Sequence, residues 1–324
     1  MLPGQGSVGV YSFVLTDIIE MNKLFVLAFS LLCVVLSGCS GQGSVCVEAE
    51  GADSASLRVG VLPTAHCLPF FVADKLGVFD KAGVDVSLIV YESAMDADTA
   101  FANGHVQVLA TDVAKFVHLR KGGEKLDVVL GYDMPLYLLA SSQSGLESKE
   151  GLDEKVIAVT RNSWVDMAAD KIAESVGLTT EDLNRPQINS LNLRANMLIQ
   201  NQFDGAILPE PWAAICEQRG AVRLCDTSGY GLKMGVLVAQ DSLMNKRAGD
   251  IALLRDAYDM AVDTLNVLLN SKHDVISYMP LPATLGVADS LLCIGTYAHA
   301  CELSDSVLKV TEQWAEGREW LKDR

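Results

Sequence analysis

The 324-residue chain carries 25 Lys and Arg against 41 Asp and Glu, a formal net charge of −16. A surface of that sign repels nucleic acid and anionic lipid, and it gives an anionic ligand no long-range attraction, so local donors have to hold one. The length admits one large domain or two ordinary ones.

In chain order, Met21-Asn22-Lys23 precedes an apolar run from Leu24 to Leu36, then Ser37-Gly38-Cys39. A short positive region, a short apolar core and a small-residue cleavage site read as a signal peptide over residues 1–38, with Met21 as the start. Leu36-Ser37-Gly38-Cys39 is similar to a lipobox, which implies cleavage before Cys39 and acylation of its thiol. A plain signal peptide or an anchor helix is the competing reading. Residues 39–56, small, polar and acidic, read as a lipidated tether.

Export permits disulfides among Cys46, Cys67, Cys216, Cys225, Cys293 and Cys301, but spacing does not assign their pairing. Cys216 and Cys225, at the end of one helix and in the next strand, can meet. Cys293 and Cys301 lie two turns apart in a stretch expected to be helical, roughly 12 Å and too far to bridge. No spacing fits a zinc site, and most of these cysteines read as small buried apolar residues. No metal or cofactor is expected.

From Leu57 the pattern alternates. Strands are expected at Leu57–Leu62, Val84–Val90, Val106–Ala110 and Leu126–Leu130. Helices are expected at Leu68–Leu76, closed by Gly77, then Ala94–Ala102 and Val113–Leu119. That alternation argues for βαβ units and a parallel sheet. Leu136–Ser141 follows as a strand with no helix before it, and a polar stretch leads to the strand Lys155–Thr160. Trp164, Ala168, Ile172 and Val176 recur at i+4 and mark an amphipathic helix. Gln187–Leu191 and a helix near Leu193–Gln200 continue the unit. Met234–Ala239 reads as the return crossover, and Ile251–Leu269, Ala283–Ala300 and Ser304–Leu321 as helices.

The stretch Phe203-Asp204-Gly205-Ala206-Ile207-Leu208-Pro209-Glu210-Pro211-Trp212 joins an apolar strand to a helix. Pro211 suits the first helical position, which puts Glu210 at the N-cap. The carboxyl end of a strand facing a helix N-terminus is where open α/β sheets hold ligands. An ordinary joint with an exposed Glu is the alternative.

Three stretches resemble one family. Leu62-Pro63…Pro69-Phe70-Phe71-Val72-Ala73-Asp74-Lys75-Leu76-Gly77-Val78-Phe79…Gly83-Val84-Asp85-Val86 is similar to the opening of the periplasmic solute-binding proteins for nitrate, sulfonates, taurine and thiamine precursors. Gly151-Leu152-Asp153-Glu154-Lys155-Val156-Ile157-Ala158-Val159 resembles a later motif of theirs, with Glu154 in place of a Gly. Asp204-Gly205-Ala206…Glu210-Pro211-Trp212 resembles a third, and Thr111-Asp112-Val113-Ala114 departs from the family's small-residue turn. The resemblance implies an α/β, two-lobed periplasmic-binding-protein-like fold (type II), each lobe a mainly parallel sheet flanked by helices, with the ligand cleft between lobes. Residues 57–140 would form the first part of lobe 1, 141–233 lobe 2, and 234–324 the return to lobe 1. It also implies a monomer that passes a small-molecule ligand to an ABC permease and its ATPase.

Ligand contacts would then come from loops facing the cleft. Thr64 and His66 follow the first strand. Asp112 ends the third strand, where it can instead cap the next helix. Tyr132, Met134 and Tyr137 surround the crossover and can stack on a ring or pack in the core. Arg161, Asn162 and Ser163 follow the strand ending at Thr160. Ser163 with Asp166 fits a capping box, and Arg161 beside free N–H groups would hold a carboxylate, sulfonate or phosphate. Glu210 can accept from an amine, and Trp212 can pack on the ligand or on the sheet. The aromatics and acidic surface lean toward a heterocyclic or amine-bearing ligand over a bare inorganic anion.

An enzyme on this fold, such as a menaquinone-pathway chorismate dehydratase, is the rival, with Asp112 or Glu210 as acid or base. Against it, the chain has no H-E-x-x-H, G-x-S-x-G, P-loop or G-x-G-x-x-G motif. A lipoprotein that senses a ligand is the third reading.

Overall fold

The computed structural model describes residues 56–282 and 295–317. The signal-peptide, lipobox and tether readings up to Ala55, with Cys46 and Cys293, lie outside the described residues, as do the helical readings over 283–294 and beyond Gly317.

The chain opens with β1 (Leu57–Val61), α1 (Leu68–Lys75), α2 (Val78–Ala82), β2 (Val86–Val90), α3 (Ala94–Ala102), β3 (Val108–Asp112), α4 (Val113–Lys121) and β4 (Leu126–Tyr132). Gly77 at φ +63 lies where a side chain is disfavoured, and there α1 breaks off before the short α2. The middle holds β5 (Tyr137–Ala140), β6 (Ile157–Ala158), α5 (Trp164–Glu174), α6 (Leu191–Ile199), β7 (Gly205–Leu208), α7 (Trp212–Gln218) and β8 (Val222–Asp226). Then come β9 (Gly235–Gln240), α8 (Asp241–Lys246), α9 (Ala248–Asn270) and α10 (Asp305–Glu316).

Two sheets result, ordered β2-β1-β3-β9-β4 and β6-β7-β5-β8. They give the expected two-lobed α/β fold, but both are mixed and not mainly parallel. β1 pairs β2 and β3 in parallel, whereas β9 runs antiparallel to both β3 and β4. In the second sheet β5 is antiparallel to β7 and β8, and only β6 and β7 are parallel. A parallel neighbour needs a long crossover, usually a helix. The chain instead passes directly from β4 to β5, and returns from the second sheet into β9, where it inserts between β3 and β4. This also moves the boundary placed at residue 140: β5 is a central strand of the second sheet, so the crossover is Asp133–Leu136.

Strand alternation builds the cores. Leu57, Val59 and Val61 of β1, with Leu237 and Ala239 of β9, face one cluster containing Phe70 and Leu254. Val236 and Val238 face a second cluster, which also takes in Phe116, Leu138, Ile157 and Trp164. Leu139, Ala206 and Leu208 face the third, under α6 and α7. α9 packs on α1 and α2, and α10 on α4.

Three local expectations are corrected. Gln187 makes one isolated bridge to Val159 and starts no strand. Residues 295–300, expected to be helical, form no helix. Asn266 holds them through both backbone groups of Tyr297, and Cys301 then bridges Gly131 at the edge of β4. Cys216 and Cys225 do not meet; they, Cys67 and Cys301 are all thiols.

Candidate ligand-binding cleft

Elements from both lobes converge on one cavity of about 40 Å³. Its lining includes Thr64 and His66 after β1, Thr111 and Asp112 at the end of β3, and Met134 in the crossover. The second lobe contributes Thr160, Ser163, Asn189, Arg194 and Pro209. A buried water needs roughly 10–15 Å³, so the cavity has room for about three waters or one compact polar group.

The lobes are in direct contact. Trp212 Nε1–H donates to Pro63 O at 2.9 Å, and Ala65 N–H donates to Glu210 O at 2.7 Å. Trp164 N–H donates to Asp112 Oδ1 at 2.9 Å, and Trp164 Nε1–H to Met134 O at 3.0 Å.

The charges sort into balanced and unbalanced groups. Asp112, buried at the N-cap of α4, also accepts from Lys115 N–H at 2.9 Å. Its carboxylate thus faces the N-termini of α4 and α5, each worth roughly half a positive charge. Burial still pushes its pKa up to about 6. Asp98, also at the cleft, is paired with Lys115 Nζ at 2.6 Å. Burial pushes His66 down to about 3, so its ring is neutral, and its Nε2 lies 2.9 Å from Thr64 Oγ1.

Arg194 is different. It is 1 % exposed. One terminal nitrogen donates to Thr160 Oγ1 at 2.5 Å and to Ile188 O at 2.8 Å. Its Nε has no hydrogen-bond partner, and no carboxylate of the described residues lies within 4.0 Å of the guanidinium. Burial pushes it down to about 10, still cationic at neutral pH. A buried charge without a partner is costly unless something pairs with it.

Of the expected ligand residues, Thr64, His66, Asp112, Met134 and Ser163 line this cleft. Tyr132 does not. Its ring is buried beside His66, Phe70 and Tyr258, and its hydroxyl donates to Thr111 O and Val236 O. Arg161 is exposed and donates to Arg185 O, so the cation at the cleft is Arg194 and not Arg161. Asn162 adopts φ +57 and donates its N–H to Asp166 Oδ2, while Ser163 caps α5 through Val165 N–H beside Asp112 on Trp164 N–H.

Trp212 is buried on the sheet with its indole N–H spent on Pro63. The N-cap of α7 is Pro211, one residue later than expected. Glu210 Oε2 nevertheless accepts from Ala214 N–H, while Oε1 pairs with Arg223 at 2.6 Å. Glu210 and Tyr137 line a second cavity, next to the first.

Arg194, Thr160 and Asn189 were missed. Arg194 had a legible signal: it falls three residues after Leu191 and four before Leu198, on the buried face of a helix that is otherwise apolar there.

Two α/β lobes joined by direct crossovers, with polar groups from both on one cleft, define the periplasmic-binding-protein fold. The NMT1/THI5 like family model matches residues 64–265, more than half of the chain, and the chain belongs to that family. No curated protein sequence matches it.

Among solved structures it is similar to the alkanesulfonate-binding protein SsuA from Xanthomonas axonopodis pv. citri bound to MOPS. The TM-score is 0.71 at 18% identity, covering 84% of this chain and 95% of that one. The periplasmic aliphatic sulphonate binding protein SsuA from Escherichia coli gives 0.67 at 16%, covering 81% and 90%. The periplasmic nitrate-binding protein NrtA from Synechocystis PCC 6803 gives 0.65 at 12%, covering 82% and 80%. At these identities the likeness shows the fold.

Proposed function

We propose that the protein is the solute-binding component of an ABC importer and captures a small organic molecule bearing an anionic group. The carrying observation is Arg194: a buried guanidinium at an interlobe cleft, with an unsatisfied Nε–H and no carboxylate beside it. The other ions at the cleft are balanced, Asp98 by Lys115 and Asp112 by two helix N-termini. An incoming carboxylate or sulfonate supplies the missing charge, with Thr160, Ser163 and Asn189 as neighbouring polar groups.

In this reading Thr64, His66, Asp112 and Met134 form the first-lobe wall. A ligand that touches both walls favours the closed arrangement. The family and the sulfonate- and nitrate-binding neighbours support it. The partners are then a permease and its ATPase, and the protein acts outside the cytoplasm, held to the envelope by lipid on Cys39. We read it as a binder and not an enzyme, because Asp112 and Glu210 are both committed to helix N-termini and Glu210 also to Arg223.

The test is a thermal-shift screen of alkanesulfonates, taurine, carboxylates, nitrate and neutral heterocycles. A ligand at 100 times its Kd stabilises by about 2.7 kcal/mol, a shift of roughly 5–10 °C at this size. Anionic organic solutes are expected to give the shift and to be recovered unchanged. A response to neutral heterocycles alone, or conversion of the compound, contradicts the reading.

A further inference from the structure

The cavity beside the cleft is the larger of the two, about 200 Å³ against the roughly 10–15 Å³ that holds one water. His66 lines both. Asp133 comes from the crossover, Tyr137 from the start of β5, Glu210 from the loop after β7, Tyr258 from α9, and Tyr297 from the segment before Cys301.

Its walls are aromatic and rigid. The Tyr258 ring packs on Phe70, with centroids 5.2 Å apart, and on Tyr132 at 6.2 Å. Tyr297 is fixed by its hydroxyl on Ala65 O at 2.8 Å and by Asn266 on its backbone.

The charged side chains among its described lining residues are the carboxylates Asp133 and Glu210. No lysine or arginine is among its described lining residues, and His66 is neutral by burial. Glu210 is already paired with Arg223 at 2.6 Å, so it adds little net charge. Asp133 is half exposed and only loosely matched, with Lys233 Nζ at 3.7 Å. Asp259 and Asp133 both help hold the Tyr258 hydroxyl in its protonated form, behind burial as the main cause. One lining ring already receives a cation: the Arg223 guanidinium lies 4.0 Å from the Tyr137 centroid, in the arrangement that ring quadrupoles favour.

We propose that this hinge cavity is a second binding site, taking a small organic cation whose ammonium group sits against the Tyr258 and Tyr297 rings with Asp133 as its counter-charge. The site is distinct from the Arg194 cleft and opposite to it in charge preference. Its walls come from both lobes and the crossover, so an occupant touches the parts that must move when the lobes separate. Occupancy therefore favours the closed arrangement.

The experiment is isothermal titration calorimetry of the protein with tetramethylammonium and n-butylammonium chloride, against sodium chloride at equal ionic strength. At least one ammonium is expected to bind saturably while sodium does not. Asp133→Asn, a change at a half-exposed position, is expected to weaken that binding at least threefold, and Tyr258→Leu to weaken it more. An organic anion that binds the wild type is expected to bind Asp133→Asn alike. No saturable ammonium binding to the wild type, or equal ammonium affinity in Asp133→Asn, overturns the proposal. A wild-type protein that binds an ammonium saturably but no organic anion counts against the cleft reading and supports this one, and loss of anion binding in Asp133→Asn contradicts the separateness of the two sites.

Discussion

Asp112 of the first lobe accepts a hydrogen bond from the backbone N–H of Trp164, the first helical residue of α5 in the second lobe, at 2.9 Å. The same oxygen caps its own helix through Lys115 N–H. One carboxylate thus fixes two helix N-termini across the interlobe boundary. It takes up a position at which a free anion would otherwise be stabilised.

This relationship has a pH signature. Burial raises the Asp112 pKa to about 6 in the folded protein, against 3.8 as its ordinary value. A carboxyl group raised on folding binds more protons folded than unfolded between those values, so its contribution to stability falls as pH rises from about 4 to about 6. Asp112→Asn keeps an acceptor and removes the titration. Relative to wild type, Asp112→Asn should gain stability over that window and hold the gain above it, measured by urea unfolding at pH 4.5 and pH 7. Asp112→Ala leaves two buried N–H groups unsatisfied and should lose about 1–3 kcal/mol at either pH.

Arg194→Met should separate binding from stability. Removing an unpaired buried charge while keeping side-chain volume is neutral or stabilising in general. The ligand-free variant should therefore melt at or above the wild-type temperature. Arg194→Lys keeps the charge but not the planar fork, and should bind an organic anion about tenfold more weakly.

Trp212→Phe deletes one interlobe hydrogen bond and leaves Pro63 O without that donor. The expected loss is about 1–2 kcal/mol. It should appear as a lower melting temperature and, by small-angle scattering, a larger radius of gyration without ligand.

Gly205 opens β7 between Ala140 of β5 and Ile157 of β6 in the second sheet. A Cβ there would lie 2.8 Å from Leu139 O and 2.9 Å from Ile157 Cδ1. Gly205→Ala should cost about 1–3 kcal/mol by overpacking, read by chemical denaturation.

The alternation of strands and helices from Leu57 onward, with the motifs around Pro63, Lys155 and Glu210, was enough to place two α/β lobes. The missing helix before Leu136 was visible, but the apolar run of Gly235–Gln240 does not say that it inserts antiparallel between β3 and β4. Glu210 was legible as a helix-start residue, but its partner Arg223 lies thirteen positions on, in a strand that only the fold brings beside it. Arg161 drew attention as a loop arginine. The cation that faces the cleft was hidden in α6, among the buried Leu191, Ala195 and Leu198, with its partners Thr160 and Ile188 outside the helix. The Tyr132 ring was equally ambiguous until His66, Phe70 and Tyr258 were seen around it.

The most direct measurement is calorimetric titration of wild type and Arg194→Met with the alkanesulfonate or carboxylate that gives the largest thermal shift. Saturable binding to the wild type is expected, with a loss of at least a hundredfold in the variant and the fold intact by circular dichroism. Equal affinity in the two proteins would contradict the cleft reading.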